Sequence, residues 1–96
     1  MRWVYRLDVE HEVEEISHYY ERARLGLGER FLKALEDLYE RLATLPDSGK
    51  EVRPGIRQAI VPGFPYLVYY ARFPDRLEII AVVHQARHER AWKDRL

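Results

Sequence analysis

The stretch LEIIAVVHQA, residues 77–86, decides the fold because its first seven residues are nearly all apolar. An apolar run of this length, preceded by a turn, predicts a strand that is buried on both faces and lies inside a sheet. Alternation in a regular strand places Ile80 and Val82 on the same face as His84. The opposite face is then formed by Ile79, Ala81 and Val83.

Two further strand-like segments precede this one, IRQAIV at 56–61 and the aromatic FPYLVYYARF at 64–73. Short turns, Pro62-Gly63 and Pro74-Asp75-Arg76, separate the three segments. Connections this short cannot make a parallel crossover, which needs a dozen or more residues. The three strands are therefore expected to form an antiparallel meander.

The first half of the chain predicts one strand and two helices. RWVYRL at 2–7 alternates like a strand, and a helix is expected over about 9–23, after a possible cap at Asp8. A second helix follows the break at Gly26-Leu-Gly28 and ends before Pro46, because proline disfavours helix in the preceding residue. Its apolar stripe consists of Phe31, Leu32, Leu35, Leu38, Tyr39, Leu42 and Leu45.

These elements predict an α+β fold in the order β-α-α-β-β-β, with a helical hairpin packed on one face of an antiparallel sheet. Residues 46–55, PDSGKEVRPG, are read as a loop of turn-formers and charges. A chain of 96 residues is expected to form one domain over 1–96.

Composition limits the classes of function. Cysteine is absent, which excludes disulfides and cysteine-based zinc sites and fits a reducing cytoplasm. No apolar run approaches the ~20 residues that span a membrane. The net charge is zero, with −4 in residues 1–49 and +4 in residues 50–96. A neutral chain is not expected to bind DNA by itself, and an anionic partner should meet the second half.

The segment that follows the central strand carries the candidate chemistry. His84 is either a hydrogen-bonded histidine at a strand end or a general acid or base. His84 and His88 would share a face only on a helix, so no metal site is predicted. Arg57 and Arg87 border strands and form either salt bridges or a guanidinium pair for phosphate or carboxylate. No cofactor motif is present.

The tyrosines of the third strand leave two readings open. Tyr66, Tyr69 and Tyr70 are either a base-stacking platform or a core layer under the helices, and the core layer is favoured. Since Tyr69 and Tyr70 point to opposite faces, at least one of them is expected to lie outside the core between the sheet and the helices.

The whole chain resembles the ParE toxins of the RelE/ParE superfamily, the toxin half of type II toxin–antitoxin (plasmid stabilisation) modules. The resemblance rests on ISHYYERA at the end of the first helix, ERFLKALEDLYERLATLP after the glycine break, and IRQAIVPGFPYLVYY. The final IIAVVHQARHERAW is similar to the family's closing pattern of His, two residues, Arg and then Trp. It departs from that pattern at His88, where Asp is common, and no Pro follows.

The resemblance implies the same β-α-α-β-β-β fold in a cytoplasmic bacterial protein that arrests growth. It implies neutralisation by a cognate antitoxin, ParD-like or another small DNA-binding protein, and it is compatible with a toxin dimer inside a hetero-oligomer. ParE-like toxins are understood to act on DNA gyrase. RelE-like relatives instead cleave mRNA in the ribosome, and a decayed toxin that only binds its partner is a third possibility.

The residues favour a non-catalytic, gyrase-inhibiting toxin. RelE-like nucleases offer an acid or base side chain near the C-terminus. The nearest aromatic residue to the C-terminus in this sequence is Trp92, which cannot transfer a proton. A nuclease would instead have to use Arg57, Arg87, His84 and His88. The antitoxin surface is expected in the sheet and groove beside the first helix. The predicted antitoxin or target contacts are Arg53, Arg57, Arg87, His88 and Trp92.

Overall fold

Both helices form where the apolar periodicity predicts them. The computed structural model describes residues 1–87, in which α1 spans Val9–Ala23 and α2 spans Leu27–Thr44. The two helices approach closely at the turn between them. A Cβ on Gly28 would lie 2.6 Å from the carbonyl oxygen of Ser17, so a larger residue does not fit there. The Glu21 carboxylate accepts the backbone N–H groups of Gly26 (2.8 Å) and Gly28 (3.0 Å), which satisfies donors at the start of α2.

The sheet has five strands, one more than predicted, in the order β1-β5-β4-β3-β2. The strands are β1 (Arg2–Tyr5), β2 (Lys50–Arg53), β3 (Ile56–Ile60), β4 (Tyr66–Phe73) and β5 (Arg76–His84), followed by a short 3-10 helix at Gln85–Arg87. β2 lies within the stretch that was predicted to be a loop. It has a single apolar residue, Val52, and a bulge in its pairing with β3. The sequence therefore shows no alternation of apolar and polar residues that would indicate a strand.

The sheet is mixed, so the prediction of a purely antiparallel sheet is wrong in one pairing. β3, β4 and β5 form the expected antiparallel meander, but β1 pairs with β5 in parallel. The helical hairpin returns the chain to the end of the sheet at which β1 stops, so β2 runs opposite to β1. Three antiparallel reversals from β2 to β5 then leave β5 parallel to β1, and the strand that was not predicted, β2, supplies the additional reversal. The α+β architecture with two helices on the sheet is confirmed.

β5 is buried on both faces, as its apolar run predicts, but a bulge changes which residues share a face. Tyr69 is paired with Ala81 and Tyr70 with Ile79, so Ile80 has no residue opposite it. Ile79 and Val82 consequently pack in the core under the helices. The prediction that Ile80 lies on the same face as Val82 is therefore wrong, because strict alternation fails at a bulge.

The opposite face of the sheet carries a second cluster made of Ile56, Tyr69, Ala71, Ile80, Ala81 and Val83. Tyr69 and Tyr70 do point to opposite faces, and both are fully buried. Neither helix of the described region is long and apolar enough to cross a membrane.

Candidate functional site

A groove runs between α1 and the ends of β4 and β5, on the helix side of the sheet. We call it the α1 groove; its volume is about 680 Å³. Its lining residues come from α1, from the two strands and from the 3-10 helix: Glu12, Glu15, Ile16, Tyr19, Tyr66, Val82, Val83, His84, Ala86 and Arg87. This is the groove beside the first helix that was expected to receive an antitoxin.

Aromatic rings form one end of the floor of this groove. Tyr66 contacts Phe31 of the core at 5.6 Å between ring centroids, and Tyr20 lies 6.2 Å from Tyr66. Burial raises the pKa of the Tyr66 hydroxyl, while the nearby charge of Arg87 acts in the opposite direction. The Tyr66 hydroxyl therefore stays protonated at neutral pH and can donate a hydrogen bond to a partner.

Tyr19 forms the rim of the α1 groove and is 59% exposed. In the sequence, an apolar stripe of α1 is predicted from residues that recur at helical spacing, Val9, Val13, Ile16, Tyr19, Tyr20 and Ala23. Adjacent helical residues point about 100° apart, so only one of the two tyrosines can face the core fully. Tyr20 packs against Phe31 and Phe64, and Tyr19 is left at the surface. A large aromatic side chain at a groove rim is typical of a protein-binding surface.

His84 is held at the end of β5 by a backbone contact. Its Nδ1 accepts the N–H of Ala86 at 3.1 Å, and its ring packs edge-on against Tyr66 at 5.3 Å. An imidazole nitrogen that accepts a hydrogen bond carries no proton, so in the neutral ring the proton lies on Nε2. The contact to Ala86 shapes the 3-10 helix that carries Arg87 to the groove.

Arg57 has an internal contact instead of lying beside His84. Its Nη1 donates to the carbonyl oxygens of Gly49 (2.6 Å) and Asp47 (3.0 Å), in the loop before β2. In the sheet Arg57 lies opposite Tyr70 and His84 lies opposite Tyr66. Four residues of strand correspond to about 13 Å. The backbone therefore does not bring Arg57 and His84 to one point.

The remaining predicted site residues are dispersed. Arg53 is exposed at the end of β2, on the far edge of the sheet from β5. Arg87 lines the α1 groove together with His84. His88 and Trp92 lie outside the described residues. Within residues 1–87, no three His, Asp or Glu side chains form a cluster that could hold a metal ion.

Tyr70 has a structural role that extends beyond packing of its ring. It lies in the core under the helices, as the favoured core-layer reading predicts, and only the role of its hydroxyl was missed. The hydroxyl donates a hydrogen bond to the carbonyl oxygen of Pro46 at 2.8 Å and accepts one from the N–H of Gly49 at 3.0 Å. Together with Arg57 it fixes the loop that leads from α2 to β2. The run YLVYY indicates a buried strand, but it does not show which backbone groups hydrogen-bond to the hydroxyl of a buried tyrosine.

The chain matches the family described as ParE toxin of type II toxin-antitoxin system, parDE, over residues 4–89. Among curated proteins no match was found. A solved structure described as the chromosomal ParDE TA system from P. aeruginosa is similar, with a TM-score of 0.63 and 18% sequence identity. The alignment covers 88% of this chain and 95% of that chain. At that identity the likeness concerns the fold alone.

Proposed function

We propose a function from the premise that the chain belongs to the ParE toxin family of type II toxin–antitoxin systems. In this proposal the chain arrests growth by binding DNA gyrase, without chemistry of its own. We further propose that a cognate antitoxin neutralises it by docking in the α1 groove. The single observation that carries the first part is the separation of Arg57 from His84. The set of residues that a nuclease would have to use is therefore divided, because Arg57 is held by the loop before β2, away from His84 and Arg87.

Two features of the groove support the proposed docking site. Its floor is largely apolar, with Ile16 and Val82 beside Tyr66, and its rim carries the exposed Tyr19. A buried aromatic anchor surrounded by polar residues is the usual anatomy of the centre of a protein interface. A segment that folds as it binds would gain most of its free energy from such a floor.

The gyrase proposal is tested by supercoiling assays with purified components. We expect the chain to inhibit ATP-dependent supercoiling and to leave mRNA intact in a translating extract. Cleaved mRNA in the presence of ribosomes, with supercoiling unchanged, would contradict the proposal.

One observation favours a second function, ribosome-dependent mRNA cleavage: His84 and Arg87 do line the same groove. His84→Ala and Arg87→Ala separate the two functions. A nuclease would lose about 10²–10⁴-fold in rate with its acid or base. A gyrase-binding toxin that does not use these residues for chemistry would keep its inhibition with His84→Ala.

The docking site is tested by Tyr19→Ala in the presence of the antitoxin, the short DNA-binding protein expected from the neighbouring reading frame. Truncating an exposed aromatic contact at the rim should cost about 1 kcal/mol of binding free energy, or about fivefold in affinity. His18→Ala is the matched control, since His18 is an exposed neighbour on α1 that does not line the groove. Equal affinities of the two variants would argue against this site.

A further inference from the structure

The α1 groove has walls of opposite charge. On the α1 side Glu15 is 68% exposed, and its carboxylate contacts His11 of the same helix at 2.9 Å. On the opposite side Arg87 is exposed at the end of the 3-10 helix. Within residues 1–87 no ion pair joins Glu15 to Arg87 across the groove, although both line it. Within this part of the chain the two walls are not joined to each other, so a molecule that lies between them can contact both charges.

The apolar floor runs between these two walls. Ile16 supplies it from α1, with Tyr19 at the rim, and Tyr66 and Val82 supply it from the sheet. Leu or Phe side chains of a partner would remove this floor from water, which is the main source of affinity in such a groove. The charged walls cannot be covered by apolar atoms without loss of hydration, so they require polar flanks on the partner.

The groove has the length of a short helix. From Glu12 to Tyr19 the α1 wall advances by seven residues, or about 10.5 Å, which is two helical turns. A partner helix laid along this wall presents apolar residues at i, i+3 or i+4, and i+7 over the same distance. Side chains on either flank of that ridge then face Glu15 on one side and Arg87 on the other.

We propose that the α1 groove selects an amphipathic helix whose apolar ridge is flanked by basic residues on one side and acidic residues on the other. This inference rests on the proposed function, since the antitoxin is taken to supply the helix. The basic flank pairs with Glu15 and the acidic flank pairs with Arg87. Because a helix can lie in a groove in two directions, the two walls also fix the direction of the bound segment.

Three synthetic peptides with one apolar ridge and different flanks test this inference. The first has one basic and one acidic flank, the second has two acidic flanks, and the third has two basic flanks. Their affinities for the chain are measured by fluorescence anisotropy of a terminal label. Amide NMR shifts of Ile16 and Arg87 establish that the peptides occupy the α1 groove.

We expect the peptide with unlike flanks to bind most tightly. Exchange of one flank changes a surface ion pair into a repulsion, so we expect a loss of about fivefold or more for each of the other two peptides. Glu15→Lys leaves Glu12 on the same wall, so it should remove the advantage of the peptide with unlike flanks over the peptide with two acidic flanks. Arg87→Glu should shift the preference to the peptide with two basic flanks. Both positions are exposed, so the variants should fold.

Glu14→Lys is the matched control, because Glu14 is exposed on the same helix and does not line the groove. It should leave the order of the three affinities unchanged. Equal affinities for all three peptides, no binding of any of them, or an order that neither Glu15→Lys nor Arg87→Glu changes would each overturn the inference.

The outcome is separable from that of the proposed function. If the chain inhibits gyrase but shows no preference among the peptides, the proposed charge selection by the α1 groove is wrong and the proposed target still stands. A chain that shows the preference but leaves gyrase unaffected keeps the groove and loses the target.

Discussion

Removing one hydroxyl, in Tyr70→Phe, should destabilise the fold more than a surface substitution can. The Tyr70 side chain is fully buried, and its hydroxyl holds the loop before β2 through Pro46 and Gly49. Without it, the buried N–H of Gly49 loses its partner, which costs about 1–3 kcal/mol. The lost donation to Pro46 adds a net contribution of about 1 kcal/mol. We expect a total loss of about 2–4 kcal/mol in the free energy of unfolding.

Tyr39→Phe is the matched control because the same atom is removed from a site of similar burial. Tyr39 is fully buried against Trp3 and Tyr5. Its hydroxyl makes no hydrogen bond of good geometry among residues 1–87, and the side chain of Tyr5 is its nearest polar neighbour there. Burial raises the pKa of the Tyr39 hydroxyl far above its ordinary value, so the group stays neutral. Removing a buried hydroxyl that makes no hydrogen bond of good geometry should leave stability unchanged or raise it by up to ~1 kcal/mol.

Urea unfolding of the two variants and the parent measures this contrast directly. If the slope of the unfolding free energy against urea concentration is unchanged, the urea concentration at the unfolding midpoint should fall for Tyr70→Phe. For Tyr39→Phe it should stay the same or rise. Hydrogen exchange should also accelerate at the Gly49 amide in Tyr70→Phe. Equal losses in the two variants would refute the reasoning, since burial of the ring alone would then account for both.

Three further predictions concern the same loop and an ion pair. Gly49→Ala should destabilise the fold by about 1–3 kcal/mol, seen as a lower melting temperature, because its Cβ would lie 2.5 Å from the Tyr70 hydroxyl. Arg57→Met should cost about 1–3 kcal/mol in urea unfolding through its lost bonds to loop carbonyls, and an unchanged midpoint would contradict this role. The hydrogen bond that Arg6 donates to Glu78 holds the pKa of the Glu78 carboxyl below its ordinary value. Ionised Glu78 therefore stabilises the fold at neutral pH, and this stabilisation is lost as pH falls below ~4.3, the ordinary pKa of the group. The stability difference between the parent and Glu78→Gln should therefore shrink in acid, and a difference that persists at low pH would be inconsistent with an ionised Glu78.

The helices could be predicted closely because the information that sets them is local. The bounds of α1 match the predicted 9–23, since the apolar period and a glycine break fix both ends within one segment. The bulge in β5 could not be predicted in the same way. It depends on the register between Tyr69-Tyr70 and the strand opposite, and register is a property of two segments, not of one.

The candidate site was predicted in part for a related reason. The structure places Arg87 in the groove beside α1, and its expected contact with an antitoxin or target stays a prediction. Arg57 was expected to face a partner, but its geometry depends on the loop of Asp47 and Gly49 that no periodicity describes. Tyr19 was assigned to the core stripe, because the competition between two adjacent tyrosines for one core position is decided only by packing.

The proposed inhibition of gyrase by contact can be measured on the purified enzyme. The decisive assay is ATP-dependent supercoiling of relaxed plasmid by purified gyrase, titrated with the chain. We expect inhibition that rises with the concentration of the chain and is reversed when the antitoxin is added. Full supercoiling at a large molar excess of folded chain would contradict it.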